Sequence, residues 1–154
     1  IRIIVLEYQN ISELPVNDQL LLTEARKITT MAYAPYSGFH VGAAVLLGNG
    51  TIVTGNNQEN SAYPSGLCAE RVALFYANAN YPDSEVKTIA ISAAKDGVLV
   101  KDPVKPCGGC RQVLAEVEVR FETPIRIILD GENSIMVLNG VESLLPLSFS
   151  KKDL

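Results

Sequence analysis

Three cysteines in two short motifs constrain this chain more than any other feature of its sequence. Cys68 precedes Ala-Glu-Arg, while Cys107 and Cys110 are spaced C-x-x-C in Pro-Cys-Gly-Gly-Cys. Because an odd number of cysteines cannot pair completely within one chain, a disulfide framework is not expected. Free thiols are typical of a reducing compartment, and we expect the cytoplasm. The clustering of the thiols indicates a metal site or a redox site.

The apolar spacing predicts helices and strands that alternate along the chain. Pro35 is a plausible stop for the first helix, and Gly48-Asn49-Gly50 joins the first two strands into a hairpin. We therefore expect an α/β fold, a three-layer α/β/α sandwich with helices on both faces of a mixed five-stranded sheet. Helices are predicted at residues 17–34, 68–79 and 109–118, and strands at 39–47, 51–55, 86–94, 125–130 and 134–138.

The composition fits one domain of ordinary size. The 154 residues are 47% hydrophobic, and 13 basic against 17 acidic side chains give a net charge of −4. Because no basic stripe is available to neutralise phosphates, a nucleic acid polymer is not an expected partner. No apolar run reaches the roughly 18 residues of a membrane span, so no membrane partner is expected. Residues 1–154 are predicted to form a single domain, with 1–14 as an N-terminal extension whose contribution to the sheet is open.

The three thiols match the ligand count of a catalytic zinc site. Three protein ligands leave one position for water, whereas a structural zinc site closes its shell with a fourth protein ligand. All three cysteines lie near predicted helix starts, where unpaired N–H groups and the helix dipole favour the thiolate that zinc needs. We therefore predict one zinc ion per chain, bound by Cys68, Cys107 and Cys110.

Side chains beside these cysteines are candidates for proton transfer and charge compensation. Glu70, two positions after Cys68, is predicted to move a proton from the attacking water to the substrate. Its alternative is a first-turn glutamate that stabilises the helix dipole. Because three thiolates weaken the ability of zinc to acidify water, nearby donors are expected, and Arg71 and Gln112 are predicted to serve. The alternative for both residues is that they lie on a solvated helix face. No role is predicted for Arg111.

Five short motifs are spread over most of residues 15–150. They are Ala-Pro-Tyr-Ser-Gly-Phe-His-Val-Gly-Ala-Ala at 34–44, Asn-Gln-Glu-Asn at 57–60, Cys-Ala-Glu-Arg at 68–71, Pro-Cys-Gly-Gly-Cys-Arg-Gln at 106–112, and Leu-Leu-Pro at 144–146 with Phe149. Through them the chain resembles the cytidine deaminase family, in particular its small homotetrameric branch. It departs from the family pattern at Pro64, where glycine is usual, and at Gln58, where an apolar residue is usual.

The resemblance implies an activity and an assembly. The activity is the zinc-dependent hydrolysis of cytidine and deoxycytidine to uridine and deoxyuridine plus ammonia, in pyrimidine salvage. The assembly is a homotetramer whose subunits share active sites. Within the site, the resemblance implies zinc on the three cysteines and a proton-carrying Glu70.

The resemblance also implies the substrate contacts. Asn57 and Glu59 would hold the ribose 3′-hydroxyl, and residues two apart on an extended segment do face the same way. Phe39 would line the nucleoside pocket, and the backbone N–H of Ala69 would contact the base carbonyl. Tyr63 would lie at a subunit boundary, and Phe149 would close over the base in a neighbouring subunit.

Three alternatives remain beside this interpretation. A structural zinc module needs a fourth protein ligand that the sequence does not supply. A redox module on the C-x-x-C pair leaves Cys68 and Glu70 without a role. The same chemistry could act on a nucleoside antibiotic, a nucleotide or a free base, but the Asn57 and Glu59 pair favours a free 3′-hydroxyl.

Overall fold

The computed structural model describes residues 1–154, and a single mixed sheet forms their centre. None of the helices is both long and apolar enough to cross a membrane. The strands are β1 (Leu6–Tyr8), β2 (Phe39–Leu47), β3 (Ile52–Asn56), β4 (Val86–Lys95), β5 (Val98–Leu99), β6 (Arg126–Leu129) and β7 (Ile135–Asn139). The helices are α1 (Val16–Ile28), α2 (Ala69–Asn80) and α3 (Gly108–Phe121).

The sheet has seven strands rather than the predicted five. Its order is β1-β7-β6-β4-β2-β3, with β5 paired to β4, and only the β4–β6 pair is parallel. The two additional strands, β1 and β5, are three and two residues long. Segments this short carry too few residues to show a period of two. The N-terminal segment therefore does add a strand, with Leu6 opposite Val137 on β7.

Helices cover both faces of the sheet, which confirms the predicted sandwich. On one face, Leu21, Leu22 and Ala25 of α1 join a buried cluster that includes Ala44 and Ile128. On the other face, α2 and α3 pack against a larger buried cluster. From the strands it includes Ala43 and Ile127, which adjoin Ala44 and Ile128, and from the helices it includes Leu74, Ala77 and Leu114. Consecutive strand residues thus enter opposite cores, as the alternation of side chains across a strand requires.

The first helix ends earlier than predicted. Helix α1 stops at Ile28 and is followed by a turn of 3₁₀ helix at Thr29–Met31, whereas the prediction ran to about residue 34. Ala34, which precedes Pro35, is sterically disfavoured in the helical conformation. After this turn the backbone of Ala32 is extended, and Tyr33 forms a bridge with Gln58. The early stop therefore brings residues 33–38 beside residues 57–59.

Two glycines allow the helices to approach the sheet closely. A Cβ at Gly55 of β3 would lie 2.6 Å from the backbone nitrogen of Ala73 on α2. On the opposite face, a Cβ at Gly42 of β2 would lie 2.2 Å from the carbonyl oxygen of Ala25 on α1. Both helices therefore rest directly on strand backbone, and the position of α2 depends on the missing side chain of Gly55.

Candidate active site

The three thiols meet where α2 and α3 begin. Cys68 and Cys107 are the N-cap residues of these helices, and Cys110 lies in the first turn of α3. The three Sγ atoms lie within 4.8 Å of one another, with 3.7 Å between those of Cys68 and Cys107. Sulfur ligands of one tetrahedral zinc ion lie about 3.8 Å apart, because Zn–S bonds are about 2.3 Å long. The donor set therefore fits zinc.

One positively charged side chain contacts this cluster. Arg71 donates a hydrogen bond from Nη2 to the Sγ of Cys68 at 3.3 Å. The pKa of Cys68 is lowered to about 5, first by the neighbouring thiol of Cys110 and then by Arg71. The same thiol pair raises the pKa of Cys110, because a second negative charge beside the first is unfavourable. Arg71 therefore lies where charge compensation was predicted.

Glu70 is buried in the first turn of α2, with only 4% of its surface exposed. Burial raises the pKa of its carboxyl group above the ordinary value, because the charged form loses its hydration. A solvated first-turn glutamate, the alternative considered for this residue, would be exposed. A carboxyl with a raised pKa is better suited to accept a proton and then return it near neutral pH.

A cleft of about 450 Å³ opens beside Cys68. Its walls include Asn57, Glu59 and Tyr63, all three predicted to contact substrate. The side chain of Tyr63 is 80% exposed, and its ring packs edge-on against that of Tyr36. The structure therefore brings three of the predicted substrate residues together with one of the thiols.

The side chains of Asn57 and Glu59 are both anchored to the segment at 36–41. The amide of Asn57 accepts from the backbone nitrogen of Val41 and donates to the carbonyl oxygen of Phe39, both at 2.8 Å. The carboxylate of Glu59 accepts from the Ser37 hydroxyl and from the backbone nitrogens of residues 36 and 37. The Ser37 hydroxyl makes the largest contribution to lowering the pKa of Glu59. The pair is therefore held in place before any ligand arrives.

The other predicted substrate residues are not part of the lining of this cleft. Ala69 is fully buried directly after Cys68, at the start of α2. Phe39 begins β2 and is half-buried. Phe149 is 61% exposed near the C-terminus. The roles given to these three residues remain predictions.

The side chain of Gln112 does not make the contact predicted for it. Its side-chain amide donates to the carbonyl oxygen of Phe149 at 2.9 Å and makes no hydrogen bond to a thiol. Two helical positions correspond to a rotation of about 200°, so Gln112 projects away from the buried Cys110. Its amide therefore holds the C-terminal segment and does not compensate thiolate charge in this structure.

Two side chains at the site have no role predicted from the sequence. Ser37, which orients Glu59, belongs to the motif at 34–44. Arg111 donates to the carbonyl oxygens of Pro106 at 2.9 Å and Leu144 at 2.7 Å. The sequence contains no signal for these bonds, because their acceptors are backbone oxygens of loops.

A family model described as the cytidine and deoxycytidylate deaminase zinc-binding region matches residues 15–122. The chain belongs to the cytidine deaminase family. It is accordingly an enzyme, a hydrolytic deaminase with a zinc cofactor, and the three converging cysteines are the residues that fit this metal. The meeting of Cys68 with the C-x-x-C pair does not favour the redox module.

Individual proteins support the same assignment. A cytidine deaminase from Sporosarcina psychrophila is 42% identical over 134 residues, which cover 87% of this chain and 92% of the relative. One from Halalkalibacterium halodurans is 38% identical over 136 residues, covering 88% and 96%. The crystal structure of cytidine deaminase from Burkholderia pseudomallei superposes with a TM-score of 0.74 at 34% identity, covering 88% of this chain and 100% of that one.

Proposed function

We propose that this enzyme hydrolyses cytidine and deoxycytidine to uridine and deoxyuridine plus ammonia, as a step of pyrimidine salvage. The observation that carries the proposal is the cleft that joins the Cys68 thiol to the Asn57 and Glu59 pair. A nucleoside lying in this cleft would present its base to the thiol cluster and its sugar to the pair. Cytidine is also the substrate named for the relatives at 42% and 38% identity.

The charges of the cleft favour a nucleoside over a nucleotide. No lysine or arginine lines it, while Glu59 does. Because its pKa is lowered, Glu59 stays ionised and can accept a hydrogen bond from a sugar hydroxyl. A phosphate in the same place would meet this carboxylate without a cation to neutralise it. The proposal includes deoxycytidine because the Asn57 and Glu59 pair is assigned to the 3′-hydroxyl, which ribose and deoxyribose share.

The residues around the thiol cluster account for the proton transfers. When bound by the three cysteines, zinc supplies the acidification of a water molecule. Glu70 would accept a proton from the attacking water and pass it to N3 of the base as C4 gains the oxygen. Glu70 would then carry the second proton of this water to the 4-amino group, which leaves as ammonia. The backbone N–H of Ala69 would hold the base carbonyl, while Arg71 offsets thiolate charge.

The proposal extends to assembly and compartment. Tyr63 and Phe149 are large aromatic side chains with exposed fractions of 80% and 61%, which supports burial of both in a homotetramer with shared active sites. Light scattering that finds an active monomer would contradict this assembly. Three cysteines without a disulfide support a reducing compartment, and we place the enzyme in the cytoplasm.

The deciding experiment follows the ultraviolet absorbance of cytidine in the presence of protein with a measured zinc content. We expect turnover of cytidine and deoxycytidine with one zinc per chain. Replacing Glu70→Gln should lower kcat by about 10²–10⁴-fold and leave zinc in place, because the amide cannot carry the proton. Glu116→Gln, an exposed change on α3, serves as the control and should keep full activity.

Two results would contradict the substrate assignment. Zinc-loaded protein that is inactive on both nucleosides would do so, as would faster turnover of deoxycytidylate than of deoxycytidine. A second measurement tests the contact with the sugar. Cytidine lacking its 3′-hydroxyl should be a poor substrate for the parent, and the difference from cytidine should shrink in Glu59→Gln. An unchanged difference in this variant would remove Glu59 from sugar recognition.

A further inference from the structure

Arg111 joins two loops at the start of helix α3. Its Nε atom donates to the carbonyl oxygen of Pro106 at 2.9 Å, and its Nη1 atom donates to that of Leu144 at 2.7 Å. The guanidinium group forms no ion pair with a carboxylate. Its hydrogen bonds are therefore directed at backbone oxygens of two separate loops.

The Pro106 end of this bridge lies directly before a zinc ligand in the chain. Pro106 immediately precedes Cys107, the N-cap residue of α3, and Arg111 is the only hydrogen-bond donor to its carbonyl oxygen. Cys107 is also the exposed member of the three cysteines, whereas Cys110 is buried. Side-chain packing therefore restrains Cys107 less than Cys110. The position of Cys107 depends more on the backbone that precedes it.

The Leu144 end ties the same helix start to the C-terminal segment at 144–149. Gln112 adds a second anchor through the carbonyl oxygen of Phe149. Between the anchors, Leu147 has a φ of 55° and is 93% exposed. A leucine in this left-handed region is strained, and no packing of its own side chain compensates. The course of the segment therefore depends on its two attachments to α3.

We infer that Arg111 is a positioning residue for the zinc site, which couples the docked C-terminal segment to the placement of Cys107. With the bridge intact, the carbonyl oxygen of Pro106 is held and the Sγ of Cys107 stays 3.7 Å from that of Cys68. Without it, Cys107 must be ordered when the metal binds, and zinc binds more weakly. The inference concerns metal affinity, so it does not rest on the proposed nucleoside substrates.

The test compares zinc affinity in the full chain by competition with a chromogenic chelator. Arg111→Met should weaken zinc binding by about 10–100-fold, the range found when the partners of metal ligands are removed. Arg111→Lys should fall between parent and Arg111→Met, because a single ammonium group lacks the planar fork that reaches two carbonyls. Arg120→Met is the matched control. Arg120 lies on the same helix and donates to the carbonyl oxygen of Pro82 at 2.8 Å, but contacts nothing near the thiols.

A structural role alone predicts a different pattern. It would lower the melting temperature of the zinc-free chain and leave zinc affinity unchanged, and that result for Arg111→Met would overturn the inference. An equal loss of affinity in Arg120→Met would also overturn it. If Arg111→Met does not fold, Arg111→Lys decides, because unchanged zinc affinity in that variant contradicts the required bridge. Zinc affinity is read without substrate, so inactivity on cytidine leaves this test intact.

Discussion

Replacing Gly55 with alanine would test whether the contact between β3 and α2 sets the geometry of the active site. The added Cβ would lie 2.6 Å from the nitrogen of Ala73 and 2.8 Å from the carbonyl oxygen of Ala69. Both are backbone atoms of α2, so neither can rotate away. The first turn of this helix carries Glu70, and Cys68 caps it. Relief of the clash must therefore move the carboxyl group of Glu70 and one thiol.

The displacement follows from ordinary contact distances. Helix α2 has to retreat by roughly 0.9–1.4 Å before the new methyl group reaches van der Waals contact. Overpacking of this kind costs about 1–3 kcal/mol of folding free energy. For a chain of this size that corresponds to a fall in melting temperature of roughly 2–12 °C. Because misplacement by about 1 Å can cost 10²-fold in rate, we expect kcat for cytidine to drop by about 10–100-fold.

The assay measures kcat on zinc-loaded, folded protein together with the melting temperature. Gly42→Ala is the control, since its Cβ would lie 2.2 Å from a backbone oxygen of α1 on the opposite face of the sheet. It should destabilise the fold at least as much as Gly55→Ala but reduce kcat less. A Gly55→Ala enzyme with parental melting temperature and kcat would refute the reasoning, as would a larger kcat loss in Gly42→Ala.

Further predictions concern stability and protonation. Glu118→Ala should cost about 1–3 kcal/mol in urea unfolding, because two backbone N–H groups lose their shared acceptor, whereas Glu116→Ala, on the exposed side of the same helix, should cost under about 0.5 kcal/mol. In zinc-free protein, the alkylation rate of Cys68, followed by mass spectrometry, should rise with pH with a midpoint near pH 5, because the lowered pKa keeps this side chain a thiolate at neutral pH. A midpoint near pH 9 would contradict this prediction. Ser37→Ala should raise the pKa of Glu59, so Glu59 becomes protonated at a higher pH than in the parent. As the pH is lowered, KM for cytidine should therefore increase earlier in the variant. An unchanged profile of KM against pH would contradict this prediction.

Most of the regular elements and the metal ligands were accessible from the amino-acid sequence. Strands β2 and β4 begin where the apolar runs predicted, and both end within one residue of the prediction. The ligand count of a catalytic zinc site followed from three cysteines near helix starts, which the structure brings within 4.8 Å. These features depend on local periodicity and on the chemistry of single residue types, and both are properties of short segments.

Folding over long distances decided the remaining features. Strand β1 forms because β7 leaves a free edge, and Gln112 reaches Phe149 because α3 turns it away from the thiols. Arg111 finds one of its acceptors 33 residues away along the chain. Backbone oxygens are identical in every residue, so no sequence pattern marks which of them a side chain will meet. Only the packing of helices and loops against one sheet determines those partners.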